Sequence, residues 1–347
     1  MNAIATSARW ARTRRGPHRC AVTLIELLFV MMILGILVAL SLGVLAGAAA
    51  QARVERTRAI ITKLDQLIMD KWTSYETRAV RVRIPAGTTP TVAASYRLWA
   101  MRELMRMEMP NKKEDVLFGR QSQVNNNYVL QANPAVWNHY RRKAYGIYGT
   151  TPAADPNLAG WTTENEGAEC LYLILSGMRD GEDSALSFFS PSEIGDMDGD
   201  GMLEILDAWG NPIWFTRWAP GYRDDIDPYV TPYLGPRPVT PQNGTIPDPF
   251  DPTGVDRRTL SDNSVFTGMY LKPLIHSFGP DKLSSLLLPS TSSPPDPSGI
   301  NDPYANIDSP FPAGNPNLFS GCYGAPKDTG RSPAYSDNIT NHNFAEQ

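Results

Sequence analysis

Histidine and cysteine are scarce in this chain of 347 residues, and acidic residues are missing altogether from its first 25 positions. The four histidines (His18, His139, His276 and His342) are scattered. No HExxH zinc helix, GxSxG elbow, phosphate-cradling GxxxxGK[ST] loop or CxxC pair is present. These absences remove the common constellations for metal-assisted hydrolysis, acyl transfer, nucleotide chemistry and dithiol redox chemistry, so a non-enzymatic role is expected. The three cysteines are Cys20, Cys170 and Cys322. Cys170 and Cys322 form the candidate disulfide in an oxidising compartment; the alternative is two unpaired thiols, one buried, since spacing alone does not establish proximity.

Charge is unevenly placed. The formal net charge is −4, yet residues 1–21 carry Arg9, Arg12, Arg14, Arg15 and Arg19 with no acid. Removing those five from the 32 basic residues leaves 27 against 36 acids, or −9. An acidic bulk argues against nucleic acid as a partner. A basic N-terminus beside an apolar run instead predicts a cytoplasmic N-terminus, with everything after the span outside.

That run is long. From Leu27 to Gln51 no residue is charged, and roughly 20 apolar residues suffice for a helix to cross a bilayer. It continues without proline into a charged pattern in which Val54, Ile61, Leu64, Ile68, Trp72, Tyr75, Ala79 and Val82 recur every three or four residues, which is one apolar helical face. The spacing predicts a single helix of about 60 residues reaching Ile84, half in lipid and half packed on soluble structure. Glu26 is out of place at its head: an acid costs roughly 2.5–3.5 kcal/mol at the centre of a membrane helix, less near its end.

The segment Ala21-Val22-Thr23-Leu24-Ile25-Glu26-Leu27-Leu28 resembles the processing site of type IV prepilins and type II secretion pseudopilins. That family has a basic leader, then Gly-Phe-Thr-Leu-Ile-Glu-Leu, then an apolar stretch; here Ala21 and Val22 replace the Gly and the Phe. The resemblance implies cleavage by prepilin peptidase between Ala21 and Val22 and methylation of Val22. It also implies that Glu26 neutralises the amino terminus of a neighbouring subunit during assembly. The fold it implies is α+β and pilin-like, a long N-terminal helix on a globular head with a small antiparallel sheet and extensive Pro-rich loops. The expected organisation is leader 1–21, filament-core helix 22–51, amphipathic continuation 52–84, head 85–283 and irregular C-terminal segment 284–347.

In the head, 93–109 has helical spacing, with Tyr96, Trp99, Leu104 and Met107 as the buried face and Pro110 as its stop. A second helix is predicted over Pro134–Tyr145. The apolar run within 164–178 reads as a helix ending near Gly177 or as a buried strand. Strands are predicted at Ile213–Trp218 and Thr267–Phe278, with Pro273 marking an edge or a bulge. Two pieces resemble the major pseudopilin: Asp207-Ala208-Trp209-Gly210-Asn211-Pro212, similar to Asp-Pro-Trp-Gly-Asn-Pro, and His276-Ser277-Phe278-Gly279-Pro280-Asp281, similar to Ser-Leu-Gly-Ala-Asp-Gly. In the family a loop after the second piece binds calcium; here Lys282 stands where its glycine would be.

Residues 196–207, "DMDGDGMLEILD", have the spacing of a twelve-residue calcium loop. Asp196, Asp198 and Asp200 take positions one, three and five, and Gly201 the turn. Met202 offers a carbonyl at seven, Glu204 a ligand at nine and Asp207 the closing carboxylate at twelve. Hard Ca²⁺ takes six to eight oxygens, which alternating carboxylates on a tight loop can supply. Pro191 before the loop and Gly210-Asn211-Pro212 after it speak against flanking helices. The bland alternative is an acidic surface turn without metal.

The functional expectation is a structural subunit of a type II secretion pseudopilus in the cytoplasmic membrane, partnered by prepilin peptidase and by identical or related subunits, with structural Ca²⁺. A type IV pilus subunit, major or minor, is the alternative, and an anchored calcium-dependent ectodomain is a third.

Overall fold

The computed structural model describes residues 23–180, 183–219, 248–259, 265–268, 270–282, 303 and 338–342. Helices α1 (Leu24–Thr77), α2 (Pro90–Glu108), α3 (Lys113–Leu117), α4 (Ala135–Ile147) and α5 (Glu166–Gly177) account for most of its regular structure. The strands are short. They are β1 (Gln123–Val124), β2 (Asn127–Tyr128), β3 (Arg179–Asp180), β4 (Asp183–Ser184), β5 (Ile194–Gly195), β6 (Glu204–Ile205), β7 (Trp214–Ala219), β8 (Arg257–Thr259), β9 (Val265–Thr267), β10 (Lys272–Ser277) and β11 (Ile339–Thr340). The class is therefore mixed helix with small antiparallel sheets. The chain divides into two compact units, residues 1–52 and 53–347.

In the first unit the described residues are the start of α1. Its large apolar side chains from Leu24 to Leu45 are exposed, and α1 is long and apolar enough to cross a membrane by length and composition. Thr23 and Glu26 form a reciprocal cap at its head. The Thr23 N–H donates to Glu26 Oε2 (2.8 Å), and the Glu26 N–H donates to Thr23 Oγ1 (3.3 Å). This is the capping-box pattern that satisfies otherwise orphaned N–H groups at a helix start.

In the second unit α1 presents Thr57, Ile61, Leu64, Ile68, Trp72 and Tyr75, all fully buried. Those five large apolar side chains contribute roughly 10 kcal/mol of transfer free energy as an upper bound. The helix ends at Thr77 rather than Ile84. Beyond it the sequence Val80-Arg81-Val82-Arg83-Ile84 alternates with period two, and β-branched residues in that pattern favour extended backbone. Val82 accordingly bridges Leu130, and the Arg83 N–H donates to the Val129 carbonyl (2.8 Å).

Helix α2 buries Leu104 and Met107 as predicted, but Trp99 is 44% exposed and Tyr96 only partly buried. α5 is a helix, not a strand. Its continuous apolar run follows from being buried on all sides: Leu171, Ile174 and Leu175 join the main core with α1, whereas Cys170 and Leu173 join a second cluster with Val116, Tyr140, Trp161 and Met202. Gly177 is its last residue, and packing against α4 requires glycine there, since a Cβ would lie 2.6 Å from Tyr140 Cε1.

The main sheet has the order β11-β10-β7, all antiparallel. The expected strand Thr267–Phe278 is split: β9 pairs with β8, and β10 pairs with β7. Pro273 lies at a register shift between Lys272 and Leu274, so this central strand tolerates its missing N–H through a bulge. The expectation of an irregular 284–347 segment is corrected at its end, where Ile339–Thr340 forms β11. There Asn341 donates to Asp65 Oδ1 (2.8 Å) and to the Pro273 carbonyl (3.0 Å).

Candidate metal centre

The acidic loop is a β-hairpin tip, not a loop between helices. β5 and β6 pair with Ile194 opposite Ile205 and Gly195 opposite Glu204, and residues 196–203 connect them. Two glycines make the turn, Gly199 at φ +77° and Gly201 at φ +98°, both conformations that side chains disfavour. At Gly201 a Cβ would also meet Ile147 Cγ2 at 3.3 Å, at the end of α4.

Backbone donors hold the carboxylates in place. Asp196 accepts from the N–H groups of Gly199 (2.7 Å) and Gly201 (3.0 Å). Asp200 accepts from the Met202 N–H (2.8 Å) through one oxygen and from the Thr162 N–H (2.6 Å) through the other. Asp198 accepts from Thr162 Oγ1 (2.6 Å). Glu204 accepts from Asn165 Nδ2 (3.2 Å) and the Met197 N–H (3.1 Å). The Met202 side chain is fully buried in the second cluster and anchors the tip.

A fifth carboxylate, unforeseen in the sequence, comes from α5. Glu169 is 0% exposed, and its Oε2 accepts a short hydrogen bond from the Trp161 indole N–H. Trp161 is fixed in turn by Lys113, whose Nζ donates to the Leu158 (2.8 Å) and Trp161 (2.7 Å) carbonyls. One carboxylate oxygen each from Glu169, Asp198 and Asp200 lie within 4.8 Å of one another, and so do oxygens of Asp196, Asp198 and Glu204. Burial, reinforced by the charges of Asp200, Asp198 and Glu204, pushes the Glu169 carboxyl up to about 9. Burial with Asp198 and Asp196 pushes Glu204 up to about 7.

Asp207 lies apart from this cluster. Its Oδ1 accepts from the Trp209 (2.8 Å) and Asn211 (2.9 Å) N–H groups, and its Oδ2 from Ser277 Oγ (2.6 Å). It therefore caps the turn into β7 and ties that turn to the end of β10. Asn211 Nδ2 adds a bond to the Gly279 carbonyl (2.8 Å). The two pieces Asp207–Pro212 and His276–Asp281 are thus joined directly. Lys282 adopts φ +61°, the left-handed backbone that a glycine would adopt readily.

Of the other expected site residues, Ala21, Val22 and Cys322 lie outside the described residues. Cys170 is fully buried, and burial pushes its thiol well above the ordinary value. The signal that could have found Glu169 was its position in Glu169-Cys170-Leu171-Tyr172-Leu173-Ile174-Leu175, an acid directly leading a buried apolar run, one helical turn after Glu166. No protein-family model matches the chain, and neither a curated protein nor a solved structure matches it.

Proposed function

We propose that this chain is a pilin-like structural subunit of a type II secretion pseudopilus, cut by prepilin peptidase before Val22 and assembled through the first half of α1. The observation that carries the reading is the Thr23–Leu28 stretch after a basic leader, at the head of an apolar helix that runs on unbroken into an amphipathic one. The large apolar side chains from Leu24 to Leu45 are exposed, and such a surface needs lipid or neighbouring helices to cover it. The basic leader sets the N-terminus in the cytoplasm and the residues after the span outside.

In the assembled filament Glu26 neutralises a neighbour's methylated amino terminus, so two costly charges are withdrawn together. The capping box separates this role from a purely local one. Glu26→Gln keeps an N3 side chain able to complete the box but removes the charge; Glu26→Ala removes both. Mass spectrometry of the membrane-extracted protein should find Val22 as the first residue, carrying one added methyl group. Both variants should be inserted and cleaved, and neither should enter filaments. A mature protein beginning at Met1 would sink the reading, and filaments of Glu26→Gln equal to wild type would refute the charge pairing.

A further inference from the structure

We propose that Glu169 of α5, in place of Asp207, closes a Ca²⁺ site with Asp198 and Asp200 at the tip of the β5–β6 hairpin. The inference is independent of the filament reading. It starts from an unbalanced group. Glu169 is completely buried, yet among the described residues its Oε1 has no hydrogen-bond partner, and only Oε2 is engaged, by Trp161. A buried carboxyl with one unpartnered oxygen is costly unless it keeps a proton or a cation takes that proton's place.

The groups around it make matters worse. Asp200, Asp198 and Glu204 all act on Glu169 with like charge. Among the described residues no lysine or arginine forms an ion pair with any of these acids. The nearby Lys113 ammonium donates its hydrogen bonds to two carbonyls and acts on Asp200 through its charge without forming an ion pair with it. A divalent cation is the compensation this chemistry calls for.

The dimensions fit it. Oxygens bound to Ca²⁺ at 2.3–2.6 Å lie at most about 5 Å apart across the ion. The oxygens of Glu169, Asp198 and Asp200 fall within 4.8 Å of one another, and Asp198 also belongs to the second trio with Asp196 and Glu204. All are hard carboxylate donors, with no histidine or thiol, which favours Ca²⁺ over zinc or copper. Loops of this spacing normally close with the twelfth residue. Here both oxygens of that residue, Asp207, serve the β7 turn and Ser277, and helix α5 supplies the missing carboxylate. Bound calcium then staples α5 to the hairpin.

The test is calorimetric titration of CaCl₂ into the full-length protein in calcium-free detergent, paired with thermal unfolding with and without millimolar calcium. Glu169→Gln keeps the shape and an acceptor for Trp161. It should bind calcium at least about tenfold more weakly and gain no Tm from it, while being no less stable than wild type in chelator. Asp207→Asn should keep wild-type calcium affinity. Absence of a calcium effect on wild type, equal affinity of wild type and Glu169→Gln, or loss of affinity in Asp207→Asn with retention in Glu169→Gln would each overturn the proposal. Asp198→Ala guards against a folding artefact: its side chain is not fully buried, and it should lose binding while retaining cooperative unfolding.

Discussion

Substituting Asp115 by Asn should be among the most damaging single-atom changes available in the second unit. Asp115 lies on α3 and joins three elements. Its Oδ2 accepts from Arg217 Nη1 of β7 (2.9 Å) and from the Asn111 N–H (3.1 Å), and Arg106 Nη1 of α2 stands 3.6 Å from Oδ1. The three side chains are 5%, 4% and 0% exposed. Neutralising the acid removes the carboxylate charge that two buried guanidinium groups share, a change that typically costs about 3–5 kcal/mol; the charge of Glu103 still acts on Arg106. Carbonyls soften the loss: Arg217 also donates to Met109 O (2.7 Å) and Arg106 to Phe118 O (3.1 Å). The lower end of the range is therefore expected, a fall in Tm of roughly 6–12 °C at about 2–4 °C per kcal/mol.

The pH dependence of the difference carries independent information. Burial pushes the Asp115 carboxyl up, but Arg217 and Arg106 outweigh it and hold it below its ordinary value. A depressed carboxylate contributes stability above its unfolded-state pKa and loses it as pH falls through the folded value. The gap between wild type and Asp115→Asn should therefore be constant at neutral pH and close only below about pH 4. Thermal unfolding of the detergent-solubilised full chain, followed by circular dichroism, measures both. Glu55→Gln, which breaks the exposed Arg58–Glu55 pair on α1, is the reference and should cost under about 1 kcal/mol. If Asp115→Asn shifts Tm no more than Glu55→Gln does, the triad is not the structural clamp described.

Two further outcomes follow from close packing. His276 on β10 is fully buried, neither ring nitrogen has a hydrogen-bond partner among the described residues, and burial, with help from His342, lowers its pKa to about 3. The unfolded chain takes up a proton below about pH 6.5 that the folded chain refuses, so stability falls with acid between those values, by up to about 1.4 kcal/mol per pH unit. His276→Leu should flatten that slope in acid unfolding curves; an unchanged slope would assign it to other groups. Gly177→Ala would raise helix propensity by about 1 kcal/mol in isolation. In place it drives a methyl to 2.6 Å from Tyr140 Cε1 and 3.0 Å from Val136 Cγ2, so a net loss of about 1–3 kcal/mol is expected; a rise in Tm would show that α4 and α5 are free to separate.

Much of the architecture was legible because periodicity reports burial. Ile61, Leu64, Ile68, Trp72 and Tyr75 follow a helical stripe, and all are buried. The three predicted head helices exist within a few residues of their expected bounds. The misses have physical causes. Trp99 looked like core by residue type, yet it falls on the outer side of α2. α1 ends at Thr77, short of the expected Ile84, because Ala79 and Val82 satisfy helical spacing while belonging to a stretch that alternates as extended backbone. Buried charge was the least visible feature. Arg78 with Glu108 and Tyr75, Arg102 with Asp248 and Asp256, and the Asp115 triad all join residues distant in sequence, and composition offers no signal for such pairings. The carboxylate cluster is half legible: the hairpin carboxylates are close in sequence, but Glu169 reaches them only through the fold.

Glu26 and Glu169 pose the same physical problem, an acid at the start of an apolar helical run, and the structure answers it differently in each case. At Glu26 the carboxylate completes a capping box with Thr23, so its hydrogen bonds have a local explanation and only its charge asks for a partner. A charge without a local partner is the property that selection for assembly would preserve and that Glu26→Gln would remove. At Glu169 the argument reverses, because a helix start buried on every side offers neither water nor a neighbouring subunit. The compensation comes from something small and positive between α5 and the hairpin: a proton, which the raised Glu169 carboxyl holds, or the cation proposed to replace it. One acid is exposed and the other fully buried, and what separates them is the burial that tertiary packing adds to a shared sequence pattern.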